Sequence, residues 1–155
     1  MISPKRVWSS LADRLALLRS VRGPGEAVLL VRAVVVALAV PLLLRLPLSW
    51  VARVLEPRRA RDERHEIDRI VAVVDQALRL GRPLVREHCL TRGATLYHLL
   101  RRAGYEVDLR FGVGRVDQEI VGHCWLSRDG EPLFEKTDPR LTFTETYIVG
   151  PGSVP

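Results

Sequence analysis

Cysteine is scarce in this 155-residue chain, with Cys89 and Cys124 the only two. A pair cannot make the disulfide framework of a small secreted domain. No CxxC pair is present, so the common structural zinc spacing is missing as well. Lysine is nearly absent: almost all of the 24 cationic side chains are arginine, set against 18 acidic ones for a net charge of +6. A basic surplus suits an acidic partner, but an arginine bias of this kind equally reflects a GC-rich coding background, and nucleic acid is not expected as a partner. Long uncharged runs are lacking too. The longest, Ala33 to Leu44, is closed by Arg32 and Arg45 and falls short of the roughly 20 apolar residues of a membrane span. Pro41 and Pro47 are expected to interrupt the segment further. There is no basic head followed by a short apolar run, so a secretory signal is not indicated and the cytoplasm is the default. Internal repeats and low-complexity tracts are absent.

Hydrophobic residues make up 47% of the chain, enough for a real core. The start is amphipathic, with Trp8, Leu11, Leu15 and Leu18 at helical spacing. After "RGPG", residues 27–55 read as a buried or partner-docking helical segment, or one lying on a membrane surface. The mixed charges of 56–66 read as a solvated linker. Ile67, Ile70, Val71, Val74, Ala77 and Leu78 mark a helix that stops at Gly81 and Pro83. A second helix begins at Cys89, buries Leu90, Ala94, Tyr97, Leu100 and Ala103, and ends at Gly104. The period then changes to two. Strands are expected over Tyr105–Val113, Ile120–Ser127, "PLFEKT" and Thr142–Val149, running as an antiparallel meander. Helices followed by an antiparallel sheet make the class α+β. The expected division is a helical region over 1–55, a linker over 56–66, a catalytic core over 67–150 and a loose tail over 151–155.

Cys89 stands where a helix begins. Unpaired backbone N–H groups and the helix dipole there favour a thiolate and can hold an oxyanion. A small buried core thiol is the plain alternative. A cysteine nucleophile needs a base, usually histidine. His65 lies in the charge run, His88 is the chain neighbour of Cys89, and His98 lies about 13 Å along the helix axis by its rise. His123, between Val121 and Trp125 on one strand face, remains. The third member depends on one hairpin. A two-residue loop at Asp129–Gly130 would place His123 opposite Lys136. A three-residue loop with Gly130 as a left-handed bulge would pair Ser127 with Glu131 and set Glu135 across from His123. The second register is expected, with Asp129 and Asp138 as weaker acids. "HC" occurs at His88–Cys89 and at His123–Cys124, which raises zinc. Neighbours on a strand point to opposite faces, however, so His123 and Cys124 chelate poorly and no metal is expected. By the same alternation Cys124 is expected to pack on the far face of the sheet, away from Cys89 and unable to form a disulfide with it.

The stretch "REHCLTRGATLYHLLRRAGYEVDLRFGVGRVDQEIVGHCWLSRDGEPLFE" resembles the transglutaminase-like cysteine peptidases that remove leader peptides in lasso-peptide biosynthesis. The shared pattern is a cysteine opening a helix that ends "LLRRAG", then an "AHAWVE-DG" strand and turn with an acid twelve positions after the histidine. It covers roughly Ile67 to Lys136. The resemblance implies a transglutaminase- or papain-like core with Cys89 as nucleophile, His123 as base and acid, and Glu135 as the third member, without a cofactor. It also implies a leader–core precursor peptide as substrate, a separate leader-binding protein, and a separate ring-closing synthetase. Backbone N–H groups at Cys89 would form part of the oxyanion hole, with Arg86 or His88 as candidate second donors. Acyl transfer by the same site, and a non-catalytic interaction module, are the competing readings. Two positions depart from the pattern: Cys124 replaces an alanine, and Glu135 stands where aspartate is commoner.

Overall fold

The computed structural model describes residues 23–43, 45–57, 66–80 and 89–151. The amphipathic start, the charges from Arg58 to His65, the helix stop at Gly81 and Pro83, Arg86, His88 and the tail from 152 lie outside these residues. Four helices are described: α1 (Pro24–Leu43), α2 (Leu48–Leu55), α3 (Ile67–Leu80) and α4 (Cys89–Arg102). Four strands follow: β1 (Asp108–Val116), β2 (Glu119–Arg128), β3 (Glu131–Leu133) and β4 (Phe143–Val149). The class is α+β, with a helical N-terminal region and an antiparallel sheet.

α4 is the centre of the molecule. Thr91, Gly93, Ala94, Thr95, Leu96, Tyr97, Leu99 and Leu100 are all buried, because α1 and α3 cover one side and β1 and β2 the other. This is more than the single stripe expected of it, and its low-volume residues allow the enclosure: a Cβ built at Gly93 would lie 3.2 Å from both Cys124 Sγ and Leu109 Cδ1. The helix ends in a Schellman motif, with Tyr105 N–H on the Leu100 carbonyl, Gly104 N–H on that of Arg101, and Gly104 at φ +89.

α1 runs through Pro41 unbroken, because a proline in the last turn removes little of the hydrogen-bond ladder. Of the two prolines, only Pro47 falls at a break, as the last of residues 44–47 between α1 and α2. At 20 residues α1 is long and apolar enough, by length and composition, to cross a bilayer, with 28% of its most apolar window buried. Leu29, Leu30, Ala33, Ala37 and Val40 join the same core as α3 and α4, while Val28, Val31, Val35, Leu38 and Leu42 are exposed.

The sheet departs from the expected meander. Its order is β3-β2-β1-β4, so β4 returns to pair with β1. The chain must therefore cross from the β3 edge to the β4 edge, which it does through residues 134–142 and a short 3-10 turn at Pro139–Leu141. β1 and β2 are joined by Asp117 and Gln118, both at positive φ. This two-residue turn carries β1 past Val113 to Val116 and starts β2 at Glu119, while β1 begins at Asp108, three residues later than expected.

The segment 56–66 is not wholly solvated at its first residue. Glu56 accepts hydrogen bonds from Tyr97 Oη at 2.5 Å and Arg101 Nη2 at 2.6 Å, and His98 Nδ1 lies 2.8 Å from the Leu55 carbonyl oxygen. These contacts tie the end of α2 to α4. Burial works to raise the Glu56 carboxyl, but the bonds from Arg101 and Tyr97 outweigh it and hold it below the usual carboxylate range. A depressed acid stabilises the fold above its unfolded pKa and loses that contribution as pH falls through the folded value. Glu56→Ala is expected to lower unfolding free energy by about 1–2 kcal/mol at neutral pH, discounted for the partial exposure of the pair. The deficit should shrink in acid, and urea titrations at pH 7 and pH 3.5 would measure it.

Candidate active site

Cys89 is the first residue of α4 and is exposed. At a helix start the first N–H groups lack intrahelical acceptors, so a sulfur on the first described residue of α4 lies toward the positive end of the helix dipole. Facing it is the free edge of β2. β3 pairs only with Leu126, Ser127 and Arg128, so the edge bearing Cys124 has no strand beside it among the described residues. The direction of the Cys124 amide follows from the turns. Val116 faces Glu119 and Arg128 faces Glu131 across two-residue loops. Hydrogen bonding alternates along an antiparallel pair. Residues 119, 121 and 123 of β2 therefore bond toward β1, and 124, 126 and 128 point the other way. The Cys124 N–H is thus free to meet the Cys89 sulfur.

Three contacts stabilise a Cys89 thiolate. The largest is the hydrogen bond with the Cys124 thiol; the Cys124 amide and His123 add to it, and together they outweigh burial and bring Cys89 down to about 5. The Cys124 thiol is pushed strongly up, by its bond to Cys89 and then by burial. The charge therefore sits on Cys89, with Cys124 donating. Alkylation of Cys89 by iodoacetamide should hold its rate as pH is lowered from 8 to near 5. An ordinary thiol titrating at about 8.5 would lose roughly tenfold per unit over that range. A rate–pH profile measured by mass spectrometry would check this.

Cys124 is a correction to the sequence reading. It lies on the sheet face that meets α4, against Gly93. His123 occupies the opposite face, its ring stacked on Trp125 at 6.0 Å and tilted against Phe143 at 5.0 Å. His123 reaches Cys89 around the free edge of β2, not through the helix–sheet core. The aromatic seat depends on Gly112, where a Cβ would lie 2.9 Å from the Trp125 ring.

The hairpin register is a second correction. Arg128 pairs with Glu131, and Asp129 (φ 52) and Gly130 (φ 83) form a two-residue turn. The bulged three-residue loop does not form, because consecutive positive-φ residues suit the primed turn that matches strand twist. Continued as a strand, this register would put Lys136 across from His123. The strand stops at Leu133, and Phe134 turns left-handed at φ 61. That turn starts the crossover and carries Glu135 to His123, with Oε2 3.5 Å from Nε2. This is an ion-pair distance, longer than a tight hydrogen bond. It leaves Nδ1 as the ring nitrogen for Cys89. Glu135 therefore arrives where expected by a different route.

The other acids are engaged elsewhere. The Asp129 side chain is 94% exposed beside Arg128, and Asp138 caps the 3-10 turn and binds Arg140. Among the described residues no three of His, Cys, Asp and Glu are grouped to hold a metal ion. Cys89, His123 and Glu135 line one cleft of about 470 Å³, together with Trp125, Phe134, Phe143 and Arg92. Arg92 is held by Asp75, Nε to Oδ1, at 2.8 Å. Its position could have been read from helical spacing, three residues after Cys89 on the same face. Nothing in the sequence marks Phe143 as a wall of the site, since that requires the strand order.

An exposed thiolate, an imidazole and a carboxylate in one cleft can attack a carbonyl, hold an acyl group as a thioester and move the protons of both steps. The family model described as Transglutaminase-like superfamily matches residues 27–147, a span that includes most of α1 as well as the cleft. Enzymes of that superfamily generally work through a cysteine, and the domain accords with a cysteine peptidase or an acyltransferase. No curated protein and no solved structure matches the chain. By its fold and by the family match over residues 27–147, the chain belongs to the transglutaminase-like superfamily.

Proposed function

We propose that this protein is a cysteine peptidase that cleaves the leader from a ribosomally made lasso-peptide precursor. The observation that carries the reading is the convergence of Cys89, His123 and Glu135 in one cleft, joined to the residue pattern around them. The Cys89 thiolate attacks the scissile carbonyl and the first-turn N–H groups of α4 receive the oxyanion. His123 protonates the leaving amine, then takes a proton from the water that releases the thioester. Glu135 holds the imidazole in orientation and stabilises its protonated form.

The exposed residues Val28, Val31, Val35, Leu38 and Leu42 recur at three- and four-residue spacing along α1. That stripe supports docking of a separate leader-binding protein there, with a membrane surface as the competing occupant. The ring-closing synthetase would act on the released core. Because the opposite face of α1 is core, deleting the helix would unfold the protein, and surface charge is the cleaner probe.

The test is mass spectrometry of the precursor after incubation with this protein and the leader-binding protein. Free leader and free core are expected. An amide-linked product would instead indicate acyl transfer, and an intact precursor would overturn the reading. Val31→Glu with Val35→Glu should weaken partner capture at least about tenfold with little change in stability. If capture is unchanged while liposome flotation is lost, the stripe serves the membrane.

A further inference from the structure

Beyond donating to the Cys89 thiolate, Cys124 forms no bond in the peptidase steps, yet its thiol is placed against the nucleophile. Cys89 and Gly93 are one turn apart on the same face of α4, and a Cβ at Gly93 would lie 3.2 Å from Cys124 Sγ. The Cys89 sulfur shares hydrogen bonds with both the thiol and the amide of Cys124. Cys89 is open to solvent and Cys124 is buried at 4% exposure. Both are free thiols, and the chain has no third cysteine to compete. An exposed thiolate with a protected thiol in contact is the arrangement of a sensing and a resolving cysteine.

We propose that Cys89 and Cys124 form a modification site for hydrogen peroxide, which converts the pair into an intramolecular disulfide that blocks the cleft until a dithiol reduces it. The Cys89 thiolate attacks one peroxide oxygen. An S–O bond forms, the O–O bond breaks, and the leaving hydroxide is protonated to water. Sulfur is oxidised by two electrons to the sulfenic acid. Cys124 then gives up its proton and attacks the Cys89 sulfur. The S–S bond forms, the S–O bond breaks and a second water leaves. Two thiols and one peroxide thus yield one disulfide and two waters. A dithiol such as dithiothreitol reverses the process by exchange through a mixed disulfide. The expectation from strand alternation, that the two sulfurs lie on opposite sides of the sheet, fails because Cys124 faces α4.

The inference rests on the reading of Cys89 as a thiolate nucleophile, and the experiment separates the two. The purified protein is treated with hydrogen peroxide and digested without reduction, and Cys89 is then probed with iodoacetamide. The expected result is a peptide joining Cys89 to Cys124 within one chain, loss of Cys89 alkylation, and recovery with dithiothreitol. Cys124→Ser, which keeps a hydroxyl to donate to the thiolate, should instead accumulate oxygen additions on Cys89 that dithiothreitol does not reverse. Cys124→Ala, which loses that donor, should do so more slowly. If the wild type accumulates such additions without a cross-link, or links two chains, the disulfide is overturned, while a flat alkylation–pH profile keeps the nucleophile. If Cys89 alkylates with the pH profile of an ordinary thiol, the nucleophile reading falls and the disulfide proposal falls with it.

Discussion

Replacing Cys89 with alanine is expected to reduce precursor cleavage by at least about 10⁴-fold, with no change in fold. The size follows from the chemistry: without the sulfur there is no covalent intermediate, and what remains comes from binding and oxyanion donors alone. The unchanged fold follows from the structure. Cys89 is exposed at the first position of α4, so truncation opens no core cavity, and alanine is a good helix former. The decisive comparison pairs circular dichroism melting with quantitative mass spectrometry of the freed leader. Residual activity within about tenfold of wild type would remove Cys89 from the mechanism.

His123→Ala should cost about 10³- to 10⁴-fold, the range for losing a general acid and base. Part of the loss could come from packing, since the ring lies against Trp125 and Phe143. His123→Gln keeps a polar planar group in that seat and should lose nearly as much. Glu135→Gln should lose less, about 10- to 100-fold, because at 3.5 Å the carboxylate orients the imidazole without touching the reacting atoms. The expected order of damage is Cys89, then His123, then Glu135, measured as kcat/KM. A Glu135→Gln loss equal to that of His123→Ala would mean that the carboxylate does more than orient.

The features legible in the sequence were those set by local chemistry. Gly104 marks the end of α4 because only a residue tolerant of positive φ completes that cap. Cys89 reads as a helix start, and His123 lies within a strand, as periodicity suggests. What was hidden depended on distant parts of the chain. "SRDGE" is compatible with two loops that differ by one residue, and each reverses which side chain meets His123. Phe134 bears no mark of its left-handed backbone; glycine or asparagine would have suggested it. The position of β4 beside β1, and so the place of Phe143, rests on a sheet order that no short motif encodes. Placing Cys124 on the far face failed because His123 and Cys124 both serve the site, one around the sheet edge and one from beneath α4.

The crossover at 134–142 makes the site a late product of folding. The β1–β2 hairpin closes through a two-residue turn, whereas the crossover settles only when β4 closes onto β1, as in the pairing of Phe111 with Tyr147. Contacts between segments far apart in the chain form slowly, since loop closure must come first. Helical signal in a refolding experiment should therefore appear before Glu135 reaches His123. The nascent chain would carry a nearly complete core while Cys89 still lacks an oriented base.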